Sequence, residues 1–279
     1  MHKINKKIII CSTIKNEEKK LKFFFNKIES ISKHFEDVFY IFVESDSKDK
    51  SYEILNNFTK LKKGITISID TSAFEKRTKR LEICRNTYLN YIQSNKDLIN
   101  YDYLFVIDAD FENYLLDINK IYNSIKNNIE WSALLANQTF LYYDVWTLRI
   151  KNLIEFDCFE EFLKNLNSSD TKPSVLFRDK ISRFYTSINK FSSRFIKVDS
   201  AFGGFGIYNI KKIIECSYDS SDGINCEHVG LSKELNSKYG NLYIDKNLTN
   251  SYGINTHTLN GILCSYHDYF AYRFKEKIK

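Results

Sequence analysis

Residues 101–110, YDYLFVIDAD, decide how this chain is read. Leu104 to Ile107 form an unbroken apolar run, and two carboxylates, Asp108 and Asp110, follow it at spacing i, i+2. A short apolar run between polar residues reads as a strand buried on both faces. Such strands belong to parallel sheets, whose ligands bind outside the carboxyl ends of the strands. Two carboxylates at that position can approach one divalent cation. Hard cations take oxygen ligands, and Mg2+ commonly combines one or two carboxylates with substrate phosphates.

The same pattern recurs upstream. Residues 7–12 (KIIICS) read as a strand. Leu21, Phe24, Phe25, Ile28 and Ile31 then fall at helical spacing. Residues 38–44 (VFYIFVE) read as a second strand, followed by a helix around 49–61, and 65–70 (ITISID) as a third. In 77–92 one helical face carries Leu81, Cys84, Tyr88 and Tyr91. This alternation predicts an α/β chain with a mostly parallel sheet flanked by helices. Further on, 131–137 (WSALLAN) reads as a strand, 140–149 is aromatic and of undefined form, and 167–182, with the only proline, reads as a loop. No repeat or linker divides the 279 residues, so one domain is expected over 1–279.

Composition narrows the class. Apolar residues make up 43% and aromatics 15%, which excludes a disordered chain. Lys and Arg number 41 against 35 Asp and Glu, a net charge of +6. That balance permits anionic substrates or a loose peripheral contact with an anionic membrane, and is too small and interspersed to argue for nucleic acid. The six cysteines form no CxxC pair, which argues against a zinc knuckle and fits reduced thiols. With no signal-peptide pattern and no long apolar stretch, the expected location is cytoplasmic.

The residues after each strand carry the chemistry. The first junction, CSTIKNEE (11–18), lacks glycine, which argues against a dinucleotide fingerprint and a P-loop. A nucleotide would be gripped by side chains, and Glu44, Ser45 and Asp46 could meet ribose hydroxyls or a base edge; an ordinary polar turn is the alternative. Arg77, Arg80, Arg85 and Asn86 lie on one helix. Arg80, if at the helix entrance, could reach a diphosphate, although these cations can equally be solvated helix charges. Gly203, Gly204 and Gly206 permit close backbone approach or a tight bulge. Glu227 beside His228 suits a catalytic base with a metal contact, or a helix-starting glutamate with a packed histidine. His257 and His267 are further candidates.

Taken in order, KIIICSTIKNEE, FVESDSKDKS, RLEICRNTYL, LFVIDAD, YYDVWTLR, AFGGFGIYN and CEHV resemble the GT-A type glycosyltransferases. The run YYDVW, GGFGIY, CEH is similar to the capsule-associated mannosyltransferase-like branch. The resemblance spans about residues 7–230. It implies a nucleotide-sugar-binding half over about 1–115 and an acceptor-binding half over about 116–279. It further implies that Thr13, Lys15, Glu44 and Asp46 line the nucleoside, and that Arg80, Arg85, Asn86, Gly203 and Gly204 meet the rest of the donor. Asp108 and Asp110 would be the DxD pair holding Mn2+ or Mg2+, with His228 as a third contact. Asp144, Trp146 and Phe205 would shape the acceptor side, and Glu227 would be the base. The expected partners are a nucleoside-diphosphate sugar and a glycan or lipid-linked acceptor; the sugar, and whether the reaction inverts or retains, stay open. Two other readings compete: a Mg-dependent phosphohydrolase, and a non-catalytic glycan-binding protein using Tyr142, Tyr143 and Trp146.

Overall fold

The computed structural model describes residues 3–278. The strands are β1 (Ile4–Ile14), β2 (Phe35–Ser45), β3 (Gly64–Ile69), β4 (Tyr103–Ile107), β5 (Ala133–Gln138), β6 (Phe195–Lys197), β7 (Phe205–Asn209) and β8 (Leu242–Ser251). The helices are α1 (Glu18–Ser32), α2 (Ser51–Leu61), α3 (Arg77–Gln93), α4 (Ile118–Ile125), α5 (Cys158–Ser168), α6 (Pro173–Lys180), α7 (Ile210–Ile213), α8 (Glu227–Lys238), α9 (Thr256–Tyr266) and α10 (Asp268–Ile278).

All eight strands join one sheet in the order β3-β2-β1-β4-β7-β5-β8-β6. The pairs β2/β3, β1/β2, β1/β4 and β5/β8 are parallel; β4/β7, β5/β7 and β6/β8 are antiparallel. Because side chains alternate along a strand, β1 feeds two cores. Ile9 and Cys11 pack with Cys84, Tyr88 and Leu89 of α3 on one face. Ile8 and Ile10 pack with Leu21, Phe24 and Ile28 of α1 on the other. This two-sided burial is why β1, β2 and β4 read as near-continuous apolar runs.

One reading changes. The expected loop 167–182 holds the end of α5 and all of α6. Pro173 stands in the first turn of α6, where its missing N–H costs nothing, and Leu176 and Phe177 are buried beneath it. The segment after 230 is ordered as β8, α9 and α10, with an Asn255–Thr258 capping box starting α9. Among the described residues, no helix is long and apolar enough to cross a membrane.

Candidate active site

Antiparallel β7 beside β4 brings the glycine turn against the acidic loop. The Asp108 backbone N–H donates to the Gly204 carbonyl at 3.0 Å. Asn113 Nδ2 donates to the Asp108 carbonyl at 2.9 Å and to the Gly204 carbonyl at 3.3 Å. Asn250 Nδ2 bridges Asn113 Oδ1 (3.0 Å) and the Gly203 carbonyl (2.7 Å), and Gln138 Nε2 donates to the same carbonyl at 3.1 Å. Gly203 and Gly204 adopt φ of 70° and 81°, which glycine reaches without strain. Asp110 Oδ1 accepts from Glu112 N at 3.0 Å and so caps the short turn Phe111–Asn113. Asn113, Gln138, Asn250, Gly203 and Gly204 are buried and hydrogen-bonded beneath the loop, so the two carboxylates are held rather than hung on a mobile segment.

Opposite them stands α3. Arg77, Arg80, Leu81, Cys84 and Arg85 recur at the three- and four-residue spacing of one helical face. They line a cleft of about 450 Å³ together with Thr13, Lys15, Asp108 and Asp110. Arg80 does lie in the first turn of α3, and Arg80 and Arg85 share the cleft despite their five-residue separation. Arg85 is the fixed point. Its Nε donates to Glu227 Oε1 at 2.9 Å and its Nη2 to Asp108 Oδ1 at 3.3 Å. Phe202 and Tyr218 flank the guanidinium, at 5.2 and 5.7 Å. Nη1 is buried without a protein partner.

Charge in the cleft is poised. Burial, and then the Asp108 charge, push the Asp110 carboxyl up to about 7. Burial raises Asp108 as well, although Arg85 and Arg77 pull it back. A cation between the pair would relieve that repulsion. Tyr143 faces the same carboxylates: burial, then the charges of Asp110 and Asp108, push its hydroxyl well up.

Several expected contacts have other duties. Glu44 is buried, its Oε1 accepting from Ser47 N (2.7 Å) and Oε2 from Ser68 Oγ (2.7 Å). Asp46 accepts from Thr71 N and Oγ1 and from Lys15 Nζ; the Thr71 hydroxyl is the largest reason its carboxyl falls to about 2. Both therefore build the second strand–helix loop, which Ser47, Asp49 and Ser51 tie to the backbone of residues 16–18. Asn86 clamps the backbone of Tyr218 at both ends (2.8 and 2.9 Å) and does not line the cleft. Gly203 and Gly204 support the Asp108 loop from below, and Asp144 Oδ2 accepts from Gly203 N at 2.9 Å.

On the acceptor side, Phe205 is corrected outright: it is a core residue, edge-on to Phe105 at 5.6 Å. Trp146 donates Nε1 to Asp157 Oδ2 at 2.8 Å and packs on Phe159, which ties it to the start of α5. Tyr142 is buried and Trp146 is half-buried in its contacts with Asp157 and Phe159, so neither offers an open sugar-stacking face. Glu227 opens α8 and lies beneath the cleft in its ion pair with Arg85. His228 is buried flat on Phe202, ring centroids 3.9 Å apart, and burial holds its imidazole well below the ordinary range. Among the described residues, no three His, Cys, Asp or Glu side chains gather as a metal site, so His228 does not complete the Asp108–Asp110 pair.

Sequence reasoning passed over Asn113, Asn250 and Gln138, which carry the acidic loop, and took Tyr143, which faces it, only as a sugar-stacking ring. Their signal was weak, since isolated amides have no spacing to betray them. His257 lies at the start of α9, where burial, and then the Arg77 charge, hold its imidazole below the ordinary range.

No family model and no curated protein matches the chain. Solved structures match by fold. The mannosyltransferase PcManGT of Pyrobaculum calidifontis, solved in complex with GDP-Man and Mn2+, superposes with a TM-score of 0.52 at 10% identity, covering 94% of this chain and 64% of that one. TarS of S. aureus superposes with a TM-score of 0.50 at 10% identity, covering 86% of this chain and 35% of that one. The chain spans less than two thirds of either protein. What the likeness establishes is architecture: this chain has a GT-A type glycosyltransferase fold, as its sheet order and flanking helices display.

Proposed function

We propose that the chain is a metal-dependent glycosyltransferase moving a sugar from a nucleoside-diphosphate sugar to a glycan or lipid-linked acceptor. One observation carries the reading: a single cleft at the carboxyl ends of β1 and β4 sets the carboxylates Asp108 and Asp110 against Arg77, Arg80, Arg85 and Lys15. That arrangement suits a divalent cation on one side of a diphosphate and guanidinium groups on the other. The fold shared with PcManGT, which was solved with GDP-Man and Mn2+, supports the same donor class.

Asp108 and Asp110 would hold Mn2+ or Mg2+, leaving the remaining positions to phosphate oxygens and water. The bound cation would neutralise charge growing on the leaving diphosphate. The protein's own share is electrostatic. Arg85 is fixed in place by Glu227 and Asp108, and Arg80 and Lys15 add positive charge that needs no reorganisation as the donor bond breaks. In the transfer itself, the acceptor oxygen bonds the anomeric carbon, the carbon–oxygen bond to the diphosphate breaks, and the acceptor proton leaves to a base. Glu227 is ill placed for that last role, because its carboxylate is buried against Arg85.

The competing readings fare worse. A glycan-binding protein has no use for paired carboxylates facing four cations, and its expected aromatic platform is committed elsewhere. A phosphohydrolase of the haloacid dehalogenase kind places its acidic pair after the first strand, whereas here it follows β4. The deciding experiment is a thermal-shift screen of nucleoside diphosphates with Mn2+, followed by donor hydrolysis. Stabilisation that needs both nucleotide and metal, and that Asp110→Ala abolishes, is the expected result; phosphate release from generic phosphoesters would favour the hydrolase.

A further inference from the structure

The C-terminal helices turn their apolar sides outward. α9 is held to the body by small or polar residues: Thr258, Gly261 and Cys264 are buried, and a Cβ on Gly261 would collide with the Tyr185 hydroxyl. The opposite stripe, Leu259, Ile262, Leu263 and Tyr266, runs at i, i+3, i+4, i+7 and is exposed, Tyr266 to 85%. In α10, Ala271 is buried and Phe274 packs inward on Phe159 and Phe177, while Tyr269, Phe270 and Tyr272 are exposed. An ordinary surface helix does the reverse. In α9 small residues give close inward packing, so the large ones are outside by construction, and exposed apolar surface of this kind marks an interaction site.

A further exposed aromatic group adjoins the acidic loop. Tyr252, shortly before α9, stacks on Phe140 at 5.5 Å and meets Tyr114 at 5.8 Å, and all three rings are exposed. Tyr114 directly follows the turn that Asp110 caps.

Charge identifies the occupant. α9 and α10 pack on α6 and the turns after it, through Ser265–Ser182 and Ser174–Asp268 hydrogen bonds among others. The two segments concerned, 170–190 and 252–275, carry seven Lys or Arg against three Asp, so four of the chain's six net positive charges sit here. Lys172, Arg178 and Arg183 among them are exposed. We propose that this lobe docks on an anionic lipid bilayer, with the α9 stripe and the α10 tyrosines in the interfacial layer and the cations against the headgroups. Tyrosine rings beside an aliphatic stripe, on a lobe rich in Lys and Arg, are suited to that layer. A two-fold dimer through the same face would bring two cationic rims together, which disfavours a second copy of the chain.

Flotation of the full chain with vesicles tests this without donor or metal, so its outcome is separable from the fate of the transferase reading. The chain should float with phosphatidylcholine–phosphatidylglycerol vesicles at about 0.1 M salt and far less with phosphatidylcholine alone. Leu259→Ser/Leu263→Ser should weaken binding by about tenfold or more. Arg178→Glu/Arg183→Glu, at exposed sites that spare the fold, should weaken it comparably. Leu61→Ser, an apolar residue 84% exposed elsewhere on the surface, should leave it unchanged. Absence of wild-type flotation, or undiminished flotation of folded Leu259→Ser/Leu263→Ser, overturns the proposal. So does a dimer in sedimentation velocity that this variant dissociates while vesicles stay unbound.

Discussion

Arg85 Nε meets Glu227 Oε1 at 2.9 Å across 142 residues of chain, with the two side chains only 5% and 2% exposed. The pair sets the geometry of the cleft. Glu227 and the flanking rings of Phe202 and Tyr218 leave the guanidinium one orientation, in which Nη2 reaches Asp108 and Nη1 has no protein partner. An arginine so restrained loses little freedom when it takes an anion. We propose that Glu227 acts thereby as a positioning residue, and Glu227→Gln distinguishes this from the base role read from sequence. Loss of positioning should raise the donor dissociation constant by about tenfold. Loss of a base would instead lower kcat by about 10²–10⁴ with donor affinity unchanged. The first pattern is expected, measured by calorimetric titration of nucleoside diphosphate with Mn2+ alongside steady-state kinetics.

The same pair governs stability. Removing one partner of a buried ion pair strands the other charge, at a cost of about 3–5 kcal/mol. Glu227→Ala should lose stability on that scale in urea unfolding. Arg85→Met/Glu227→Gln should recover part of it, because neither charge of the pair remains although Asp108 loses its Arg85 contact, yet should not bind donor. Equal stability of the single and double variants would contradict the pairing.

Much of the fold was legible because it rests on local signals. The apolar runs of β1, β2 and β4 and the periodic face of α3 each sit within a dozen or so residues, and both Arg80 and Arg85 reach the cleft from that helix. What the sequence could not show was which polar residues turn inward. Glu44 finds Ser68, Asn86 finds Tyr218 and Glu227 finds Arg85, at separations of 24, 132 and 142 residues. A carboxylate two residues past a strand looks alike whether it meets ligand or hydroxyl until the fold brings the partner in. Pro173 misled for a different reason, since the residue that breaks a helix interior is also a good helix start.

Metal dependence is a third test. Asp110→Asn removes one carboxylate from a pair that repels itself, so the metal-free protein should unfold at the same temperature as wild type or above it. The stabilisation by nucleoside diphosphate with Mn2+ should vanish. A variant that still shows the Mn2+-dependent shift would separate Asp110 from the cation.

The pH dependence of stability reports on Asp144. Burial pushes its carboxyl up to about 6, even though Gly203 N–H and Thr147 pull it down. The folded chain therefore holds this proton more tightly than the unfolded chain, whose carboxyl has the ordinary value of 3.8. The resulting stability is fully present at low pH and declines as pH rises from about 4 to about 6. Asp144→Asn keeps an acceptor for Gly203 but cannot titrate. Relative to wild type it should gain about 1–3 kcal/mol between about pH 4 and about pH 7. The measurement is chemical unfolding of both proteins across that range, in which the other titrating groups cancel. A constant difference would mean that Asp144 is ionised throughout.

Gly204 is the most exacting position under the acidic loop. Its φ of 81° disfavours any side chain, and a Cβ there would collide with the Tyr143 hydroxyl. Its carbonyl also receives the Asp108 N–H and one Asn113 Nδ2 hydrogen. Gly204→Ala thus strains the backbone and displaces the one tyrosine that faces both carboxylates. A left-handed conformation imposed on alanine costs about 1–3 kcal/mol, and the collision adds to it. Gly204→Ala/Tyr143→Phe removes the hydroxyl and relieves the collision while leaving the strain. The double variant should therefore recover part of the lost stability, read as the thermal midpoint. If the loop's register matters to the metal pair, the single variant should also lose Mn2+-dependent nucleotide binding by more than its unfolding accounts for at a temperature where it is still folded. Binding equal to wild type at that temperature would show that Asp108 and Asp110 keep their places without the glycine turn.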